Sequence, residues 1–383
     1  MKLKILHIIK DDKFSIPMVQ MFDMESRLEN RAVLIGHENE SKYIKDMSMV
    51  ECVPPDSIDS LLRTADYDVV FFHSLLMSEW KHLLRVPKQK TVIWWMWGYD
   101  FYHLKYGVSP FVRTKQYKKG SLFLLKHRRG VAAYWAKHLY EHLFLFKLMY
   151  YSWMKKKVIA RLDYFNPVLP YEFEAMKKYP YFNAKLFYYK RTIPNYSYLF
   201  STIDNGSIFL GNSATYSNSH ADIINKLETL PELRNTIFIP LSYGDGGSIY
   251  VNQLKSLIKE SKHHYNILTD FIPYDEYCSM LSKSPFMISG VLRQQAMANI
   301  QFALRNAVKL FFFRDSDVYK YLKSKGYIVF TIEDIDEQSF LKPLTYEEGL
   351  NNYNLNKLET EELNSTFDIT IDNLLHTKCG NEC

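Results

Sequence analysis

Glycine is scarce in this 383-residue chain, with 14 in all. Neither G-x-x-x-x-G-K-[ST] nor G-x-G-x-x-G occurs, so a glycine-rich phosphate loop is not expected. Cysteine is rarer still, with four. Cys52, Cys278, Cys379 and Cys383 form no CxxC pair and no zinc spacing. A disulfide scaffold is therefore excluded, and a reducing compartment fits. The opening residues 1–10 hold an apolar run of five between basic residues, too short for a signal peptide, and read as a first buried strand. No stretch reaches the length of about 20 mostly apolar residues that a membrane span needs. Residues 131–153 come nearest and are broken by Lys137, Glu141 and Lys147. The expectation is a soluble or peripheral protein.

What is present is ordinary globular composition, 47% apolar and 23% charged, with an aromatic share of 16%. The net charge of +6 conceals an asymmetry. Residues 113–161 carry thirteen Lys and Arg against one acid, Glu141, while residues 331–383 carry twelve acids against three Lys. The basic residues alternate with SLFLL at 121–125 and LFLFKLMYYSWM at 143–154. That interleaving suits a helix lying on an anionic membrane surface, with rings at headgroup level. A solvated helical face is the plain alternative, and nucleic acid a third, although no recognised nucleic-acid module is visible.

Along the chain, short β-branched and aromatic runs alternate with helical patterns. Strands are expected at residues 3–9, 32–35, 68–72, 91–95, 163–166 and 185–189, with helices including 17–29, 56–64 and 75–84. The runs lack polar alternation, as strands buried on both faces do. After a polar linker at 196–205 the alternation restarts. Strands are expected at 207–210, 236–239, 266–268, 286–289 and 308–313, and the acidic end reads as helix. The pattern is that of an α/β fold with two parallel sheets. The expected domains are 1–195, with a basic helical insertion at 113–161; 206–345; and an acidic helical tail at 346–383. Ligands of such sheets bind beyond the carboxyl ends of the strands.

Four stretches carry polar chemistry at strand ends. The run IWWMWGYDFY at 93–102 places Trp94, Trp95 and Trp97 before Gly98 and Asp100. It reads either as aromatic core or as a sugar platform in which Asp100 is a general base beside an acceptor hydroxyl. FLGNSATYSNSH at 209–220 leads a strand through Gly211, Asn212, Ser213, Ser217 and Asn218 into a helix that Ser217 or Ser219 can cap. This reads as an N-cap loop or an anion site. SGVLRQQAMANI at 289–300 places Arg293, Gln294 and Gln295 before a helix, which reads either as a surface arginine at a capped helix or as a grip on a diphosphate. IPLSYGDGG at 239–247 brings Tyr243 to the same sheet edge. The D-x-D of Asp315 and Asp317 reads as a helix cap, His263 and His264 as solvated residues, and no metal cluster has convincing spacing.

Taken in order, FFHSLL at 71–76, WWMWGYDFY at 94–102, LGNSATYSNSH at 210–220, IPLSYGD at 239–245 and LRQQAMANI at 292–300 resemble glycosyltransferase family 56. The family pattern is similar to FFHG, WxxWGxDLY, VGNSGDxSNxH, VPMGY and ARQQGxGT. Its type activity transfers an acetamido-dideoxygalactose in enterobacterial common antigen synthesis. This chain departs from the pattern at Trp95, at Ala214 to Tyr216 and at Ala296. The resemblance implies a GT-B architecture, two Rossmann-like domains facing a central cleft. It also implies a thymidine-diphosphate sugar donor, an undecaprenyl-diphosphate-linked acceptor, no cofactor or essential metal, and a peripheral place on the cytoplasmic face of the inner membrane. Asp100 is then the expected base, with His73 second. Gly211, Asn212, Ser213, Ser217, Asn218, Tyr243, Arg293, Gln294, Gln295 and Asn299 are expected at the donor, and Trp94, Trp97 and Tyr102 at the acceptor. A non-catalytic carbohydrate- or lipid-binding protein on the same fold is the alternative.

Overall fold

The structure is a computed structural model. It describes residues 2–12, 14–36, 41, 43–44, 46–106, 114–128, 130, 132–133, 135–136, 139, 145–190, 196 and 206–382. Two compact units result. The first comprises Met1–Val108, Phe144–Arg191 and Glu361–Cys383, and the second Ser109–Leu143 and Thr192–Thr360. Except for Tyr196, the expected linker lies outside the described residues.

The first unit is built on seven strands, β1 (Leu3–Ile9), β2 (Leu28–Ile35), β3 (Val50–Val53), β4 (Val69–His73), β5 (Thr91–Trp95), β6 (Tyr164–Asn166) and β7 (Lys185–Leu186). They pair in parallel in the order β3-β2-β1-β4-β5-β6-β7. Leu6, Ile8, Val70, Phe72, Val92 and Trp94 enter one apolar layer, and Leu3, Ile5, Val69, Phe71, Ile93 and Trp95 the other. Both faces are thus buried, which is why these runs show no alternation. Phe22, from the helix Ser15–Asp23, and Phe367 and Ile371, from the helix Tyr346–Glu382, cover the second layer.

Strand β2 starts four residues before the expected 32, and the preceding helix ends at Asp23. Pairing of Leu28 to Arg31 with Leu3 to Leu6 outweighs the polar character of that stretch. The short β3 shows no periodicity of its own and is selected by its pairing with β2.

The second unit contains β8 (Ile208–Leu210), β9 (Ile237–Pro240), β10 (Tyr265–Leu268), β11 (Phe286–Ser289), β12 (Lys309–Phe312) and β13 (Phe330–Thr331). Its parallel order is β10-β9-β8-β11-β12-β13. Both sheets therefore reverse their direction of growth once, between β1 and β4 and between β8 and β11. Such a switch point opens a crevice beyond the strand ends.

The two charged segments are used differently from the expected domain plan. The acidic end is one helix, Tyr346–Glu382, whose residues up to Thr360 group with the second unit and whose remainder groups with the first. Asn352 bonds both the N–H and the carbonyl of Ile328, and Glu359 accepts from Tyr327. Further on, Asp368 and Asp372 pair with Arg27, and Lys378 with Asp68. The basic segment divides likewise. The helix Lys119–His127 belongs to the second unit, because the Gly120 and Ser121 N–H groups donate to the two Asp222 carboxylate oxygens at 2.7 and 2.8 Å. That carboxylate sits where the helix macrodipole favours negative charge. The helix Leu145–Arg161 belongs to the first unit and buries Tyr151, Met154, Val158 and Ile159 in its core.

Candidate functional site

The switch point of the first unit lies beside the end of β4. Its last residue is His73, and Ser74 turns the chain at φ 70° while its N–H donates to Trp95 O. After β5 the chain passes Gly98, at φ 101°, into the helix Tyr99–Tyr106. Asp100, in its first turn, is buried. Its Oδ1 accepts from the Trp97 N–H at 3.0 Å, and its Oδ2 from the Leu75 N–H at 2.9 Å and the Trp94 indole at 2.7 Å.

This placement differs from the expected general base. Burial raises the Asp100 pKa, and the hydrogen bonds only partly oppose it. Both oxygens are already engaged by fixed donors, so the carboxylate is a clamp on two loops. The acceptor residues are also placed differently from expectation, with Trp97 as the exception. The Trp94 ring is fully buried against Phe165 at 4.8 Å. The Tyr102 hydroxyl, also in the core, donates to Glu172 Oε1 at 3.1 Å. Glu172 accepts the Val168 and Leu169 N–H groups on its other oxygen, and burial pushes its pKa up to about 8. Trp97 is half-buried, and its indole nitrogen has no hydrogen-bond partner among the described residues.

His73 is also buried, in contact with the rings of His7, Phe71, Trp95 and Trp97. Only Trp97 among these rings is not fully buried. His73 Nε2 lies 2.9 Å from His7 Nδ1, and His7 Nε2 3.1 Å from Asn30 Oδ1. His73 Nδ1 has no partner among the described residues. Burial holds His73 well below the ordinary histidine pKa and His7 at about 4. The motif reading missed His7 and Asn30; the one available signal was a histidine within the apolar run of the strand LKILHII.

In the second unit the loops after β8 and β11 meet at the switch point. Ser217 Oγ donates to Gln295 Oε1 at 2.7 Å, and Gln295 Nε2 to Thr215 Oγ1 at 3.1 Å. Asn218 Nδ2 reaches Ser213 O, Ser213 Oγ and Thr215 Oγ1. Asn212 Nδ2 donates to the Tyr243 hydroxyl at 3.0 Å. Gly211, Asn212, Ser213, Ser217, Asn218, Tyr243 and Gln295 are thereby brought into one neighbourhood. Two glycines permit it. A Cβ on Gly211 would meet His220 Nε2 at 2.3 Å, and one on Gly290 would meet Asn218 O at 2.1 Å.

Two helices begin at this edge, His220–Leu227 and Met297–Arg305, each entered through a left-handed residue, Ser219 at φ 54° and Ala296 at φ 58°. Ser219 is the cap residue, yet its hydroxyl makes no capping bond and has no partner among the described residues. Arg293 Nε donates to Gln116 Oε1 and its Nη1 to Gln294 O. Asn299 is engaged separately, by the Tyr277 hydroxyl.

The remaining motifs are structural. His263 is buried between Leu227 O and the Leu233 N–H, not solvated as expected. Ser316, between Asp315 and Asp317, caps the helix Asp317–Ser324, and Asp315 pairs with Lys118. No cluster of metal-ligating residues occurs among the described residues.

The model of a family described as 4-alpha-L-fucosyltransferase glycosyl transferase group 56 matches residues 121–344, more than half of the chain. No curated protein matches. Among solved structures, Anabaena Alr3699/HepE in complex with UDP and glucose is similar at 12% identity and TM-score 0.55, over 99% of this chain and 100% of that one. The trehalose-6-phosphate protein from E. coli bound with UDP-2-fluoro glucose is similar at 10% identity and TM-score 0.56, over 97% and 98%. The alpha,alpha-trehalose 6-phosphate synthase of Burkholderia multivorans is similar at 8% identity and TM-score 0.59, over 100% and 98%. At these identities the likeness shows the fold, which is GT-B.

Proposed function

The chain belongs to glycosyltransferase group 56, and from that premise we propose that it moves an acetamido-dideoxyhexose or related sugar from a thymidine-diphosphate sugar to an undecaprenyl-diphosphate-linked saccharide in bacterial surface polysaccharide synthesis. The observation that carries the reading is the junction of two strand-to-helix loops at the second unit's switch point, Ser217 to Gln295 at 2.7 Å. Two helix N-termini at one sheet edge, with Arg293 in the loop that leads into the second, favour a diphosphate, and the loop amides and hydroxyls suit a nucleoside or sugar. The UDP and UDP-sugar bound in similar structures support the same class of donor.

His73 takes the acceptor's proton in this reading. Its Nδ1 lone pair accepts the hydroxyl proton as the acceptor oxygen bonds to the anomeric carbon, and the bond from that carbon to the diphosphate breaks. The nucleoside diphosphate leaves. Among the described ring neighbours of His73, Trp97 is the one not fully buried, with ring centroids 6.5 Å apart, and it marks the side from which an acceptor approaches in this reading.

A polyprenyl acceptor stays in its bilayer, so the enzyme works at the membrane surface, on the cytoplasmic face. No described helix is long and apolar enough to cross a membrane. The outer face of the helix Leu145–Arg161 exposes Met149, Tyr150 and Trp153 beside Lys156 and Lys157, and Lys157 lies 3.7 Å above the Trp153 ring. Rings and lysines on one face suit an anionic interface. Lys118, in contrast, is engaged by Asp315 and the Phe313 ring. Arg129, in the same basic segment, lies outside the described residues.

A thermal-stability screen across nucleotide-diphosphate sugars tests the donor. A ligand at a hundred times its Kd stabilises by about 2.7 kcal/mol. Absence of a shift with every thymidine- and uridine-diphosphate sugar would remove the donor assignment.

A further inference from the structure

The first sheet buries two histidines side by side on adjacent strands. His7 on β1 pairs in register with Phe71, and His73 on β4 with Trp95. Their hydrogen bonds form a chain whose direction is fixed from its outer end. Asn30 Nδ2 donates to Asp23 Oδ1 at 2.8 Å, so the Asn30 oxygen is the atom turned toward His7. An amide oxygen only accepts, so His7 Nε2 carries the hydrogen. Burial keeps His7 neutral, so His7 Nδ1 is bare and only accepts. The hydrogen between the two rings therefore belongs to His73 Nε2. A neutral His73 then has a bare Nδ1, the atom that has no partner among the described residues.

We propose that His7, oriented by Asn30, is a positioning residue that holds His73 as its Nε2–H tautomer and keeps the Nδ1 lone pair directed at the acceptor hydroxyl. Its catalytic consequence rests on the reading of His73 as the proton-accepting group. Among the described residues no further hydrogen bond reaches either imidazole, and the other ring neighbours of the pair are Phe22, Phe71, Trp95 and Trp97. Asp23 stands behind the Asn30 amide, where it orients that amide without touching either imidazole.

The test joins a spectroscopic readout to kinetics on the full chain. Nitrogen-15 NMR of labelled histidine, assigned with His73→Gln, should show His73 with Nε2 protonated and Nδ1 bare. His7→Leu should lower kcat by roughly 10–100-fold with KM for the donor unchanged, and should mix the two His73 tautomers. His7→Gln should restore most of the loss, because its carboxamide offers an oxygen to His73 Nε2–H and an N–H to Asn30. Asn30→Leu should fall between the two. A protonated Nδ1 in the wild-type protein overturns the proposal, as does a His7→Gln variant no better than His7→Leu. If His7→Leu does not fold, the wild-type spectrum and the His7→Gln and Asn30→Leu variants still decide. The tautomer readout needs no activity, so a His73→Gln protein that retains turnover would sink the catalytic reading of His73 separately.

Discussion

The Trp94 indole donates to Asp100 Oδ2 over 2.7 Å, tying the end of β5 to the first turn of the following helix. The same oxygen receives the Leu75 N–H, so the carboxylate also fixes the turn after β4, next to His73. Asp100→Asn turns one acceptor oxygen into a donor facing donors. The expected result is a loss of about 1–3 kcal/mol of stability, read as a lower Tm, with donor binding intact. A variant with wild-type Tm but turnover reduced a hundredfold or more would show that the carboxylate acts in the chemistry.

His73→Ala should behave in the opposite way. Removal of the proton acceptor should lower kcat by about 10²–10⁴ while donor affinity stays near that of the wild-type protein. Turnover within a few-fold of wild type would exclude it as the base.

Arg293→Ala should weaken donor binding by about 1.5–3 kcal/mol, the range of a charge-assisted hydrogen bond, with little change in Tm. Titration with a nucleotide-diphosphate sugar reads this directly. Unchanged affinity would place the diphosphate elsewhere.

Buried ionisable groups set the pH range of stability. His7 falls to about 4 and His220 to about 3, and His73 is lowered as well, each by burial. Below the ordinary histidine value of 6.5 the unfolded chain takes up protons that these residues refuse. Stability present above pH 6.5 is therefore lost as pH falls toward 4, by up to about 1.4 kcal/mol per pH unit for each histidine. Glu172 acts with the reverse sign. Its folded pKa of about 8 exceeds the ordinary 4.5, so its contribution is complete below 4.5 and is lost as pH rises through 8. Glu172→Gln should accordingly be more stable than wild type at pH 8.5 and closely similar at pH 4.5, as measured by denaturant midpoints. Equal midpoints at both pH values would show that Glu172 ionises normally.

Neutralising Lys156 and Lys157 together to Gln should weaken binding to anionic vesicles by about 2 kcal/mol, since each lysine near such a surface contributes about 1 kcal/mol. Activity on a lipid-linked acceptor should fall, and activity on a water-soluble analogue should hold. Vesicle sedimentation equal to wild type would show that this helix face is merely solvated.

The sequence carried the two parallel sheets, because strands buried on both faces lack polar alternation, as VVFF in β4 and IFL in β8 do. It also carried the meeting of Asn212, Ser217 and Gln295 at one edge, since each follows a strand of the same sheet and a parallel sheet puts all its carboxyl ends together. What the sequence could not decide was the role of Asp100 against that of His73. His73 ends a strand and Asp100 opens the helix after the next one, and only folding brings backbone and indole donors onto both carboxylate oxygens while one imidazole nitrogen has no partner among the described residues. Nor did the charge pattern show that residues 119–127 and 145–161 belong to different units. That division follows from Asp222 taking two N–H groups of the first helix and from Val158 and Ile159 entering the core beside β5. Periodicity and spacing report which face a residue occupies. Which hydrogen-bonding atoms remain free is decided by residues as distant along the chain as His7, Asn30 and His73, and these meet only when the strands pair.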